Sequence, residues 1–161
     1  MDKHMASPAV AELLKIFSSD PKLFSAEPAI YGLPTKLSAG ASFTRSSLLP
    51  STTPDPLIIF ANFGYKPSTT SKALPGWTSL VEYAKEKEEG TLTYTVLEDK
   101  EKGWIRTVEA YTGEEFLEDV HVKSTAVAEN QKQNAEWRTG KKEIWRLKAV
   151  AGYLHKEEEK A

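Results

Sequence analysis

Between Gly90 and His121 the chain reads Gly-Thr-Leu-Thr-Tyr-Thr-Val-Leu-Glu, a charged turn, Trp-Ile-Arg-Thr-Val-Glu-Ala-Tyr, and then Thr-Gly-Glu-Glu-Phe-Leu-Glu-Asp-Val-His. Two strands and a helix of this pattern bring two phenols (Tyr94, Tyr111), a carboxylate (Glu109) and an imidazole (His121) toward one another. These groups hold, accept or pass protons, and imidazole, with an ordinary pKa of about 6.5, does so near neutral pH. Other chemistry has no footing in the sequence. The three histidines are spread along the chain without metal-ligand spacing, and no phosphate loop, dinucleotide fingerprint or nucleophile elbow is present.

The elements that must position these residues follow from hydrophobic period. Leu57 to Tyr65 is a near-continuous apolar run, expected as a buried strand. Pro75-Gly76 precedes Trp77, Leu80, Val81 and Ala84, a helical stripe that runs into a charged turn with Gly90 as a left-handed cap. The Lys85 to Glu89 run reads as a solvated helix end. Thr91 to Glu98 and Trp104 to Tyr111 form a hairpin around Lys102-Gly103. Thr112 and Glu115 have capping-box spacing and should open a second helix, whose stripe of Leu117, Val120, His121, Ser124 and Val127 or Ala128 turns His121 toward the sheet. Gly140 closes that region, and Ile144 to Leu154 is the last strand.

The order predicts an α+β, ferredoxin-like βαββαβ domain: an antiparallel four-stranded sheet with two helices on one face. Apolar residues on both faces of the strands call for a cover over the open face, and a second copy of the same sheet supplies one, so a homodimer is expected.

Ahead of this domain, Ser7-Pro8 opens a helical extension with Val10, Leu13, Leu14 and Phe17 on one stripe, stopped by Asp20-Pro21. Residues 34–56, rich in Pro, Gly, Ser and Thr, support neither a continuous helix nor a central strand and read as a linker. The extension repeats the second helix. At an offset of 117 residues Asp2, His4, Ser7, Ala9, Val10, Ala11, Glu12 and Lys15 coincide with Asp119, His121, Ser124, Ala126, Val127, Ala128, Glu129 and Lys132. The chain is therefore expected to begin part-way through an earlier copy of the domain: 1–45 a partial repeat, 46–55 linker, 56–155 the domain and 156–161 a charged tail. Its orphan helix should pack on the domain or across the dimer.

Composition narrows the partners. With 21 basic against 23 acidic side chains in 161 residues, no broad positive field exists to hold nucleic acid. No apolar run approaches the roughly 20 residues of a membrane span, and cysteine is absent, so the expectation is a cytoplasmic protein without disulfide or thiolate chemistry.

Thr91-Leu92-Thr93-Tyr94, Val108-Glu109-Ala110-Tyr111, Glu115-Phe116 and His121-Val122-Lys123-Ser124 resemble the Gly-Thr-Leu-x-Tyr, Glu-x-Tyr and Phe-x(4)-His-x-x-Ser signature of the antibiotic biosynthesis monooxygenase-like (ABM) dimeric α/β-barrel family. The resemblance covers about residues 56–152, and the extension resembles the tail of a preceding copy, as in tandem two-domain members. It implies a cofactor-independent monooxygenase acting on an aromatic, phenolic or polyketide-like small molecule with molecular oxygen. Haem-degrading members offer an Asn on the first strand, a Trp ending the third and a later His. Asn62 fits, but Tyr111 and the early His121 do not, so haem cleavage is disfavoured.

In such chemistry the substrate is the reductant, and the protein must deprotonate it, hold the anion and exclude water. His121 is the expected base, Glu109 its orienting carboxylate, and Tyr94 and Asn62 the expected oxyanion donors. Phe60, Trp77, Tyr83, Trp104 and Tyr111 are candidate walls for a planar ligand. The competing expectation is a non-catalytic ligand-binding or dimerisation module in which Glu109, Tyr94 and His121 form a buried network fixing the second helix to the sheet.

Overall fold

The structure is a computed structural model that describes residues 6–20, 22, 42–45, 53 and 55–149. It divides into two units, 1–32 and 33–161. In the first unit, helix α1 (Pro8–Ser19) starts as its sequence dictates. Ser7 is extended and its hydroxyl accepts the Val10 amide at 3.4 Å, Pro8 fills the first helical position, and the helix ends at Asp20. Leu13, Leu14 and Ile16 on α1 are exposed.

The second unit is an α+β fold: an antiparallel sheet flanked by helices. Its elements are β1 (Ser42–Thr44), β2 (Leu57–Tyr65), α2 (Thr70–Lys87), β3 (Thr91–Asp99), β4 (Trp104–Tyr111), the short turn α3 (Glu114–Phe116), a π-helical turn at Leu117–His121, α4 (Thr125–Asn134) and β5 (Arg138–Lys148). The strand order is β1-β3-β4-β2-β5, with all neighbours antiparallel. The predicted four strands are thus joined by a fifth. β1 lies inside the segment read as linker and pairs with β3 at the sheet edge, where a short strand tolerates the flanking Pro and Gly.

β2 and β4 have the bounds their sequence predicts; the helices and β5 do not. α2 begins at Thr70, so Pro75 sits inside it and not before it. The buried stripe Ala73, Trp77, Leu80, Val81, Ala84 explains why helical structure extends back past the proline. β5 starts at Arg138, six residues before Ile144. Gly140 is no terminator but a residue at φ 79° in a β2–β5 irregularity, and residues 150–154 of the predicted strand lie outside the described residues. Gly90 is not left-handed; a Cβ there would fall 2.4 Å from the Phe116 ring, so close approach is what the position requires.

The predicted second helix is broken. The Thr112 amide bonds to the Gly90 carbonyl at 2.9 Å, which holds Thr112 to the strand end; Gly113 takes the N-cap position and no capping box forms. At Leu117–His121 the Val122 amide reaches back five residues to Leu117. This wider turn keeps Leu117 and His121 buried and leaves Val120, expected in the stripe, exposed. α4 then restarts at Ser124, whose hydroxyl accepts the Val127 amide at 3.2 Å.

α2 and α4 pack side by side. Gly76 makes this possible, because a Cβ there would meet Gln133 Oε1 at 2.9 Å and Asn134 Nδ2 at 3.1 Å. The main core lies between the helices and one sheet face, where Trp77 Nε1 donates to the Tyr65 hydroxyl at 2.8 Å amid Leu80, Val81, Val96 and Ile105. On the other face, the strand register sets Asn62 beside Arg106 and Glu143, and Phe60 beside Val108 and Trp145. A buried Arg106–Asp99 pair at 2.8 Å lies there. Among the described residues no helix is long and apolar enough to cross a membrane.

Candidate active site

Three elements converge on His121. The π-helical turn carries it, β3 and β4 supply Tyr94, Glu109 and Tyr111, and the C-terminus of α2 supplies a residue the sequence reading left on a solvated charge run, Glu88. His121 is buried, and its Nδ1 lies 2.8 Å from Glu88 Oε2, which also accepts the Thr91 hydroxyl at 2.7 Å. An ionised carboxylate only accepts hydrogen bonds, so against it a neutral imidazole donates through Nδ1 and carries its lone pair on Nε2. The rings of Tyr111 and Tyr94 lie 5.2 and 5.6 Å from the imidazole by centroid and fix its plane.

The expected Glu109–His121 pair does not form. Glu109 instead accepts the Tyr111 hydroxyl at 2.6 Å and stands opposite Tyr94 on the neighbouring strand. Burial, then the charges of Glu109 and its neighbours, pushes both tyrosines well above the ordinary phenol value, so both stay protonated. Strand register explains the exchange of partners: Glu109 stands opposite Tyr94 on adjacent strands, within reach of the phenols, while Glu88 ends the helix that passes over His121.

Glu88 is itself held. Arg45, just past β1, donates to four backbone carbonyls around it, those of Ala84, Lys85, Glu88 and Thr91. It caps the open end of α2 with a positive charge.

A cavity of about 250 Å³ lies against this group. Trp77, Leu80, Tyr94, Glu109, His121 and Arg138 are among its lining residues, and the exposed Val122 and Ile144 border its open side. Of the expected ligand walls, Trp77 faces this cavity and Tyr111 is fully buried behind it. Tyr83 lines a separate hollow of about 120 Å³ between α2 and α4. Phe60, Asn62 and Trp104 are on the opposite sheet face, because side chains alternate and Ile59, Ala61 and Phe63 already occupy the helix face of β2. Asn62 Nδ2 donates there to Glu143 at 2.8 Å, and Phe60 packs at a tilt against Trp145, ring centroids 5.4 Å apart. Among the described residues, no group of three or more His, Cys, Asp or Glu is placed to hold a metal ion.

Two site residues escaped sequence reasoning. Glu88 had a signal, for it lies four residues beyond the buried Ala84 on the same helical face. Arg138 had none beyond its place at the start of a strand.

No protein-family model and no curated protein matches the chain. Solved structures do. A Caulobacter crescentus protein provisionally named an antibiotic biosynthesis monooxygenase shares 21% identity over 60% of this chain and 91% of its own, with a TM-score of 0.54. The two chains share a fold. A conserved protein from Methanosarcina mazei aligns at 24% identity over 62% of this chain and 97% of its own, with a TM-score of 0.53. A Lactobacillus acidophilus protein, provisionally named a monooxygenase, aligns over 91% of this chain at 11% identity and a TM-score of 0.67, and this chain spans 63% of its length. At these identities the likeness concerns fold.

Proposed function

We propose that the protein is a cofactor-independent monooxygenase acting on a small phenolic or polyketide-like aromatic. The observation that carries this reading is the buried Glu88–His121 pair beside a largely apolar, aromatic-walled cavity, which leaves one imidazole nitrogen as a proton acceptor next to that space. The names of the structures that share the fold, antibiotic biosynthesis monooxygenase and monooxygenase, point the same way.

His121 Nε2 takes the proton of the substrate, and the resulting anion donates electrons to oxygen. A carbon–oxygen bond forms, the peroxide takes up a proton, and loss of water leaves a carbonyl: one oxygen atom is retained in the product and the other leaves in water. The protonated imidazole is stabilised by the Glu88 carboxylate. Tyr94 serves as a neutral wall of the cavity beside Glu109, with its hydroxyl protonated and able to donate to a developing oxyanion. We further propose that the active form is a homodimer and that the extension is the remnant of a preceding domain copy.

Oxygen uptake with anthrone-like and catechol-like phenols tests the reading. It predicts turnover by the wild type and loss in His121→Ala. Equal uptake by both proteins would sink it. The alternative, a non-catalytic ligand-binding module, draws support from the cavity's size, which at about 250 Å³ lies just under the roughly 300 Å³ at which small-molecule sites begin. In that case His121→Ala lowers stability and changes no reaction.

A further inference from the structure

Arg138 is an isolated cation in the wall of the cavity. It opens β5 opposite Tyr65, and its guanidinium carbon lies 5.3, 5.5 and 5.9 Å from the ring centroids of Phe63, Trp77 and Tyr65. One nitrogen donates to the neutral Asn130 Oδ1 at 2.7 Å, while Nε is buried without a partner. Among the described residues Arg138 has no carboxylate within 4.0 Å, which sets it apart from the other arginines of the sheet. Arg146, on the same face of β5, is engaged by Glu114 and Glu118, and Arg106, on the opposite face, is paired with Asp99.

We propose that the cavity takes a planar aromatic ligand carrying a carboxylate or another ring-bound anion, and that Arg138 holds its charge. This deepens the proposed function and rests on it for the cavity being a ligand site. The guanidinium is flat and weakly hydrated, and three ring contacts fix its plane, so a charge-assisted bond to an anion requires little further ordering.

The charges around the cavity also set the ligand's orientation. Glu109 and Glu118 line the cavity as well and repel an anion, whereas Lys142 lies on the cavity face of β5 and adds a second positive charge. The ligand's anionic end therefore sits at Arg138, with the reactive part of the ring directed toward His121. The positive charge of Arg138 already acts on this region, opposing the upward shift of the Tyr94 phenol.

The test compares two unreactive probes of equal shape, 2-naphthoate and 2-naphthamide, on the full chain at neutral pH. Calorimetry gives their affinities. The proposal predicts that the wild type prefers the anion by about tenfold, one charge-assisted bond. Arg138→Met should abolish that preference while leaving the naphthamide affinity within about twofold, and Arg138→Lys should restore part of it. Far-UV circular dichroism establishes that each variant is folded. Equal affinities in the wild type, a preference that survives in Arg138→Met, or binding of neither probe would each overturn the proposal. Failure to bind either probe would also count against a ligand site in this cavity. Anion preference without oxygen uptake would leave the subsite standing and remove only the oxygenase.

Discussion

Glu88 decides what His121 is able to do. Its Oε2 receives both the imidazole Nδ1 and the Thr91 hydroxyl, and the second oxygen is buried without a partner, so the carboxylate has no role in solvent. Glu88→Gln keeps the shape but offers an amide that does not stabilise a protonated imidazole. We expect kcat for phenol oxidation to fall by about a hundredfold with KM little changed, checked by steady-state oxygen uptake. Glu88→Ala should also lower stability, by about 3 kcal/mol in urea unfolding, because it leaves a buried histidine unpaired. The tyrosines give a second prediction at this scale. Tyr94 and Tyr111 have folded pKa values raised above 10.0 by burial and by Glu109, so the stability they confer is fully present below 10.0 and is lost as pH rises through the folded values. Tyrosinate absorbance should show these two phenols titrating only as the protein unfolds, and Tyr94→Phe should reduce the loss of Tm between about pH 9 and 11. At this scale His121 is buried beside two phenols as its sequence position suggested, although the turn that carries it is π-helical and not the expected α-helix. The sequence did not show which carboxylate meets the imidazole, since that depends on where α2 ends in space and not on the neighbourhood of His121.

The elements carry a different set of constraints. β2 and β4 were legible to the residue because apolar and β-branched runs bounded by turn residues have few alternatives. The second helix was not. Thr112-Gly113-Glu114-Glu115 satisfies the capping-box pattern, but the strand-end bond from Thr112 to Gly90 competes for the same backbone and shifts the start by one residue. The π-helical turn that follows rotates the stripe and is invisible to a period of 3.6. Strand faces were missed for a simpler reason. Alternation within β2 separates Asn62 and Phe60 from Ile59 and Ala61, and the sequence alone did not say which set faced the helices. Two predictions belong here. Gly90→Ala places a methyl group 2.4 Å from the Phe116 ring, and should cost about 2 kcal/mol in thermal or urea unfolding. Arg45→Ala removes the group that ties four carbonyls at the end of α2, and should destabilise by about 2 kcal/mol while loosening Glu88. Amide exchange should then quicken at Glu88 and Thr91 more than in β4.

At the scale of the whole molecule, the repeat noticed in sequence has a structural counterpart. Ser7 and Ser124, matched at the 117-residue offset, both stand extended ahead of a helix, at φ −72°, ψ 145° and φ −67°, ψ 149°, and both accept the amide three residues on. Serine is a preferred cap at helix starts in general, so this likeness is local to the two helix N-termini. On the sheet face away from the cavity β5 bears Trp145 and Leu147, both about half exposed. If these residues form the proposed dimer seam, sedimentation should find a dimer in the wild type and a shift toward monomer in Trp145→Glu; a wild-type monomer at micromolar concentration would contradict it.

All of the proposed chemistry needs one nitrogen of one ring to be bare. Long-range proton–nitrogen correlation NMR on the neutral imidazole of His121 reads this directly. The Glu88 bond predicts hydrogen on Nδ1 and a lone pair on Nε2. A spectrum with the hydrogen on Nε2 would contradict it.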